Sequence, residues 1–81
     1  PAYPNPFNPV TNINFALPQD VNISLSIYDI NGREIETLIN RDMDAGYYSV
    51  QWNANQVASG IYFVKLHTSE FVKVQKLMLV K

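Results

Sequence analysis

Cysteine is absent from the sequence, so neither a disulfide framework nor a thiolate metal site can hold the fold together. No apolar stretch approaches the roughly 20 residues that a membrane-spanning helix needs. The first residues also lack the charged and apolar segments of a secretory leader. We therefore expect any export signal to lie elsewhere in a longer protein or in this domain itself.

Charge of either sign is scarce, and the little that is present is unevenly distributed. Charged residues make up 16 % of the chain and hydrophobic residues 47 %, which is typical of a globular domain rather than a disordered segment. The net charge of −1 argues against nucleic-acid binding. Residues 1–64 carry a net charge of −4 and residues 65–81 a net charge of +3. Lysines in such a region are typical of protected edge strands.

Apolar and polar residues alternate with period two, and no stretch keeps the spacing of an amphipathic helix. Strands are predicted over residues 11–17, 21–27 and 33–40. The dipeptide Asn31-Gly32 predicts a type I′ hairpin turn between the second and third strands, because both central positions of that turn need positive φ. Broken alternation in the third strand indicates a bulge. The predicted inward residues of these strands are Ile13, Phe15, Leu17, Val21, Ile23, Leu25, Ile27, Ile35 and either Leu38 or Ile39.

A polar turn is predicted at residues 41–46, and two further strands follow it. Their predicted inward residues are Tyr48, Val50 and Trp52 in the first and Tyr62, Val64 and Leu66 in the second. In the predicted strand over residues 71–81, Val72 and Val74 fall on one face, whereas Leu77 and Leu79 fall on the opposite face. This switch indicates either a bulge near Gln75 or neighbours on both faces.

Six to seven short strands with frequent turns predict an all-β chain folded as an antiparallel β-sandwich. The chain has 81 residues, which is room for one domain. A chain this short buries only about 60 % of the surface that its unfolded form exposes, so its core must be compact.

Catalytic constellations are not evident. The one histidine, His67, falls in a predicted strand with no acidic cluster beside it, and the aspartates fall at turns, where they cap backbone amides. Asp42 and Asp44 could contribute to a calcium site, but the further ligands are missing and turn formation is favoured. We therefore predict no enzyme activity, no metal and no cofactor.

Aromatic side chains offer an alternative function. An exposed row of rings could form a sugar-binding platform, which would make the chain a carbohydrate-binding module. The candidate rings are Tyr3, Tyr28, Tyr47, Tyr48, Trp52 and Tyr62. Burial in the core explains Tyr48, Trp52 and Tyr62 at least as well, which leaves few rings for such a platform.

Six motifs occur in an order that resembles the type A C-terminal sorting domain of the bacterial type IX secretion system. The resemblance covers residues 3–81. The motifs are Tyr3-Pro4-Asn5-Pro6-Phe7-Asn8-Pro9 with Thr11, Ile13 and Phe15; Leu17-Pro18; Ile27-Tyr28-Asp29 with Gly32-Arg33; Ala45-Gly46 with Tyr48, Val50 and Trp52; Ala58-Ser59-Gly60-Ile61-Tyr62-Phe63; and Lys76-Leu77-Met78-Leu79-Val80-Lys81. The pattern is also similar to the immunoglobulin-like domain of flagellar hook-capping proteins, so a structural immunoglobulin-like module stays open as an alternative.

The resemblance to sorting domains implies an immunoglobulin-like fold and a non-catalytic function. Such a domain is fused to the C-terminal end of a cargo protein, passes through the periplasm and is recognised by the type IX translocon and outer-membrane shuttle proteins. In many members a sortase-like protease then removes the domain and attaches the cargo to lipopolysaccharide at the cell surface. A single sorting domain over residues 1–81 is therefore expected.

Two ends of the chain are the candidate functional parts. Residues 1–9 are expected to form a stiff proline-rich strap before the sandwich of residues 10–81, because proline fixes φ and removes amide donors. The terminal strand could be recognised by β-augmentation, with self-association through edge strands also open. The predicted recognition residues are Lys76, Leu77, Met78, Leu79, Val80 and Lys81. The predicted structural motif residues are Pro4, Asn5, Pro6, Asp29, Gly32, Arg33, Gly46, Tyr48 and Gly60.

Overall fold

The computed structural model describes residues 9–81 and the backbone of residues 2–3, and within them every regular element is a β-strand. No helix among these residues is long and apolar enough to cross a membrane. The strands are β1 (Ala2–Tyr3), β2 (Val10–Leu17), β3 (Val21–Asp29), β4 (Glu34–Met43), β5 (Gly46–Asn53), β6 (Gly60–Thr68) and β7 (Val72–Leu79).

These strands form two antiparallel sheets, which confirms the predicted immunoglobulin-like sandwich. One sheet has the order β1-β2-β5 and the other the order β4-β3-β6-β7. The core lies between them and includes Trp52, whose indole Nε1 donates a hydrogen bond to Glu36 Oε1 at 3.1 Å. This bond links β5 of one sheet to β4 of the other.

Alternation correctly predicted the inward faces of β2, β3, β5 and β6. In β2, for example, Ile13 and Leu17 are buried while Asn12 and Asn14 are exposed. Thr11, which lies in phase with Ile13, is also fully buried, so this strand places a hydroxyl in the core. The fully buried apolar side chains of β3 are Ile23, Leu25 and Ile27.

The turn between β3 and β4 is not the predicted type I′ turn. Among the described residues no side-chain-bearing residue has positive φ, so Asn31 cannot occupy a central position of that turn. Instead, Gly32 N–H donates to Asp29 O at 3.0 Å, and Gly32 itself has a φ of 83°. This is a type I turn followed by a left-handed glycine, the common three-residue hairpin loop with a bulge.

The bulge predicted in the third strand is confirmed, but the polar turn after it is shorter than predicted. The pairing of β3 with β4 shifts register between Leu25 and Ser26 and again between Ile27 and Tyr28. Both Leu38 and Ile39 pack against the core as a result. The strand continues through Met43, because that side chain is buried and Asn22 Nδ2 donates to Asp42 Oδ1 at 3.0 Å across the pair.

Candidate recognition surface

The C-terminal strand β7 lies at an edge of the four-stranded sheet, where it pairs with β6 alone among the described strands. Its register runs without interruption from the pair Gly60 and Leu79 to the pair His67 and Val72. The bulge predicted near Gln75 is therefore wrong. Leu77 and Leu79 are almost completely buried and anchor the strand in the core.

The outward-facing residues of β7, together with Val80 directly after it, form what we call the outer stripe, which consists of Val72, Val74, Lys76, Met78 and Val80. The four apolar members are 51 %, 59 %, 40 % and 50 % exposed, so the alternative prediction of neighbours on both faces is also wrong as far as the described residues are concerned. The inward positions beside Val72 and Val74 carry Lys73 and Gln75 rather than large apolar side chains. The valines of β7 therefore lie on the outward face in its first half, and the leucines lie on the inward face in its second half, where Leu77 and Leu79 are buried in the core.

The six predicted recognition residues do not form one surface. Leu77 and Leu79 point inward, whereas Lys76, Met78 and Val80 belong to the outer stripe. Lys81 is held against the loop between β5 and β6, since its backbone N–H donates to Ser59 Oγ at 3.1 Å and its Nζ donates to Asn55 O at 2.9 Å. The chain end is thereby fixed beside the rest of the domain.

The outer stripe continues onto β6. Ile61 and Phe63 are half-buried and pair with Met78 and Lys76, respectively. Next to them, Lys65 Nζ lies 5.8 Å from the ring centroid of Tyr28, within the range of a cation–π contact. This face therefore combines apolar side chains with two lysines.

Tyr28 marks the border between this face and β4. Its hydroxyl donates to Glu34 Oε1 at 3.4 Å. Desolvation, followed by the negative charge of Glu34 and this hydrogen bond, raises the pKa of the Tyr28 phenol. The phenol therefore remains neutral at physiological pH, and its ring is available to Lys65.

Asp29, Gly32 and Arg33, three of the predicted motif residues, lie together at the turn between β3 and β4. Asp29 Oδ1 accepts from the backbone N–H groups of Asn31 at 2.9 Å and Arg33 at 3.0 Å, and Oδ2 lies 3.3 Å from Arg33 Nε. The backbone hydrogen bond from Arg33 is the main cause that holds the pKa of Asp29 below its usual range, with Asn31 and the Arg33 charge also lowering it against opposing desolvation. These contacts shape the turn.

Gly46, Tyr48 and Gly60 also have structural positions. Gly46 and Gly60 begin β5 and β6 with φ values of 153° and 151°, which L side chains rarely adopt. Tyr48 stacks on Phe15 with ring centroids 5.4 Å apart, and its hydroxyl donates to Asp44 O at 2.6 Å. The matching tyrosine is Tyr62, which the sequence predicted as an inward residue but not for this contact. Its hydroxyl donates to Ala58 O at 2.6 Å.

The remaining motif residues, Pro4, Asn5 and Pro6, lie outside the described residues. Of the proline-rich strap, Pro9 is described, and its carbonyl accepts a hydrogen bond from Ala54 N–H at 2.9 Å. This contact joins the start of β2 to the loop that follows β5.

Groups that could support chemistry or sugar binding are dispersed. His67 is exposed on β6, and no group of three or more His, Cys, Asp or Glu within the described chain could hold a metal. The aspartates near the turn between β4 and β5 have other partners. Asp42 at the end of β4 accepts from Asn22, while Asp20 Oδ1 accepts from Ala45 N–H at 2.8 Å. Tyr47 is 92 % exposed but lies on the opposite sheet from Tyr28, so the two rings share no platform.

Comparison with known proteins gives one match, to the family model described as "Secretion system C-terminal sorting domain", over residues 1–81. The searches of curated proteins and of solved structures found no match. The family match covers the whole chain, from the strap through the terminal strand.

Proposed function

Because the chain belongs to the family of secretion-system C-terminal sorting domains, we propose that it directs an N-terminally fused cargo across the outer membrane through the type IX secretion system. The observation that carries the proposal is the family match over all 81 residues. Membership implies a fused cargo, recognition by the secretion machinery, and export to the cell surface or the extracellular space. In this proposal the domain is a secretion signal and takes no part in catalysis.

The recognition element is the terminal strand, residues 76–81. A strand at the edge of a sheet can be extended by a partner strand, and its alternate side chains supply specificity. Lys76, Met78 and Val80 face outward and would contact the partner, while buried Leu77 and Leu79 hold the strand in register. Recognition therefore depends on both sets, for different physical reasons.

The route and the later processing follow the family pattern. The cargo passes through the periplasm, outer-membrane shuttle proteins and the translocon recognise residues 76–81, and a sortase-like protease cuts ahead of the sandwich of residues 10–81. The strap of residues 1–9 marks the boundary between cargo and signal. Three of its four prolines, Pro4, Pro6 and Pro9, fix φ within the strap and bias the residues before them toward extended geometry.

Surface delivery of a reporter tests the proposal. A periplasmic reporter fused to residues 1–81 is expressed in a bacterium with a working type IX system, and surface reporter is measured. The double variant Met78→Ser with Val80→Ser should lose most delivery while keeping the fold, because both side chains point outward. Tyr47→Ser is the matched control, since it removes an exposed ring from the opposite sheet.

The outcomes of the reporter experiment distinguish a secretion signal from a domain that folds but does not direct export. Failure of the unaltered fusion to reach the surface would overturn the proposed function. Equal delivery of the double variant and the control would exclude the outer stripe as the recognised surface. Deleting residues 76–81 is a weaker test, because the deletion removes Leu77 and Leu79 from the core and unfolds the domain.

A further inference from the structure

An open groove separates β2 from β6 and β7 on one side of the sandwich. Its volume is about 300 Å³, and Ile13, Leu25, Val64 and Leu66 form its apolar floor, with Lys73 and Gln75 at its rim. A second groove of about 570 Å³ shares Asn14, Leu66 and Lys73 with the first, so the two are continuous. We refer to both together as the inter-sheet groove.

One edge of β2 beside this groove has little cover. On its other edge β2 pairs with β5 over its full length, from Val10 opposite Asn53 to Leu17 opposite Gly46. On the groove side, β1 lies opposite Asn12 and Ile13, and no described strand pairs with residues 14–17. An open edge beside an apolar groove is a site for an added strand.

The short strand β1 fixes how an added strand would be placed. Ala2 pairs with Ile13 and Tyr3 with Asn12, so each step toward the N-terminus moves the partner one residue toward Leu17. Continuing this register places the residue two before Ala2 opposite Phe15, and the residue four before Ala2 opposite Leu17. Because Ile13, Phe15 and Leu17 face the sandwich interior, these two upstream side chains would point into the groove.

We propose that the peptide joining the cargo to this domain continues β1 along residues 14–17 of β2 and covers the inter-sheet groove. This inference rests on the proposed function, in which a cargo precedes the domain. The occupant is an extended segment with apolar side chains at the two inward positions and polar residues between them. A carboxylate near its inward side would complement Lys73 at the groove rim.

The proposed strand also determines where the cargo leaves the domain. The added peptide runs toward Leu17, which pairs with Gly46. The C-terminal Lys81 instead contacts Asn55, close to Ala54, which bonds to Pro9 at the other end of β2. The cargo would therefore be attached at the end of the sandwich remote from the chain terminus, where it cannot obstruct Lys81 and its surroundings.

Hydrogen exchange on extended chains tests the register. Two chains carry a soluble reporter joined to residues 1–81 by peptides of equal composition, Ser-Val-Ser-Val or Val-Ser-Val-Ser, placed directly before the first residue. The first peptide puts valine at both inward positions, and the second puts serine there. We expect roughly tenfold slower amide exchange along residues 14–17 with the first peptide, the effect of one or two favourable cross-strand pairs. Cross-strand nuclear Overhauser contacts to Phe15 and Leu17 should accompany it.

A third chain carrying the natural cargo peptide should behave like the first. Equal exchange in all three chains would overturn the proposal, as would protection that appears only at high protein concentration, which would place a second copy on the edge. The measurement needs no secretion machinery, so its failure would leave surface delivery of the reporter unaffected. Failed delivery with intact protection would instead overturn the proposed function alone.

Discussion

Tyr48 and Tyr62 occupy equivalent positions in the two sheets. Each hydroxyl donates at 2.6 Å to the backbone carbonyl of the residue four positions earlier, Asp44 for Tyr48 and Ala58 for Tyr62. In each case a glycine with φ near 150° lies midway between donor and acceptor. The same Gly-x-Tyr arrangement therefore starts β5 and β6 and ties each strand to the turn before it.

Removing either hydroxyl should weaken the domain. Tyr48→Phe and Tyr62→Phe each delete one hydrogen bond and keep the ring, so each should lower the free energy of unfolding by about 1 kcal/mol. Urea denaturation measures the change. Tyr47→Phe is the control, because Tyr47 is fully exposed on the strand and should change stability by less than about 0.5 kcal/mol. Equal stability of all three variants would mean that the two hydroxyls do not hold these turns.

The sequence predicts which face of most strands is buried. It does not predict the turn type between β3 and β4, which depends on a side-chain contact, or the orientation of β7, which depends on what the opposite sheet covers. Period-two alternation identified the buried residues of β2, β5 and β6, because one face of each strand packs on the core. The turn at Asn31 was misassigned because the carboxylate of Asp29 binds the amides of Asn31 and Arg33 and favours another turn type. The preference of Asn-Gly for type I′ turns does not take the contact of Asp29 with these amides into account.

The orientation of β7 needed three-dimensional information. Val72 and Val74 face outward although they are apolar, whereas Lys73 faces the groove. Lys73 and Gln75, the inward residues in the first half of β7, line an open groove instead of the closed core that buries Leu77 and Leu79. Of the predicted recognition residues, only Lys76, Met78 and Val80 could then be assigned to one surface.

Acid should weaken the turn through Asp29. Its folded-state pKa is lowered, chiefly by the backbone hydrogen bond from Arg33. A group with a lowered pKa stabilises the fold above its unfolded pKa of about 4, and that stabilisation is lost as pH falls through the folded value. Stability measured by urea denaturation should therefore drop below about pH 5, and Asp29→Asn should flatten this drop. An unchanged pH profile in Asp29→Asn would assign the acid sensitivity to other carboxylates.

Gly32 should tolerate asparagine better than valine. Its φ is 83°, and a Cβ there would meet no atom within 4 Å, so the cost of substitution is conformational rather than steric with neighbours. Asparagine adopts the left-handed region with little strain, whereas a β-branched residue does not. Gly32→Asn should cost less than about 1 kcal/mol and Gly32→Val at least about 2 kcal/mol. Equal melting temperatures for the two variants would contradict this.

Adjacent residues of β7 should differ sharply in their effect on stability. Leu77 is fully buried, so Leu77→Ala should lower the free energy of unfolding by about 2 to 5 kcal/mol. Met78 is 40 % exposed, so Met78→Ala should cost less than about 1 kcal/mol. Thermal denaturation monitored by Trp52 fluorescence compares them. Similar losses of stability in the two variants would mean that Leu77 does not face the core while Met78 faces outward.

The outer stripe should make the isolated domain self-associate weakly. Val72 and Val74 expose apolar surface on a strand at the edge of the four-stranded sheet, while Lys73 and Lys76 on the same strand add repulsion between copies. Raising salt screens that repulsion, so association measured by sedimentation equilibrium should increase from about 0.05 M to 0.5 M salt. Val74→Lys should abolish it, and Tyr47→Lys on the opposite sheet should not. A domain that stays monomeric at every salt concentration, or a Tyr47→Lys variant that loses association as fully as Val74→Lys, would show that this edge does not pair with itself.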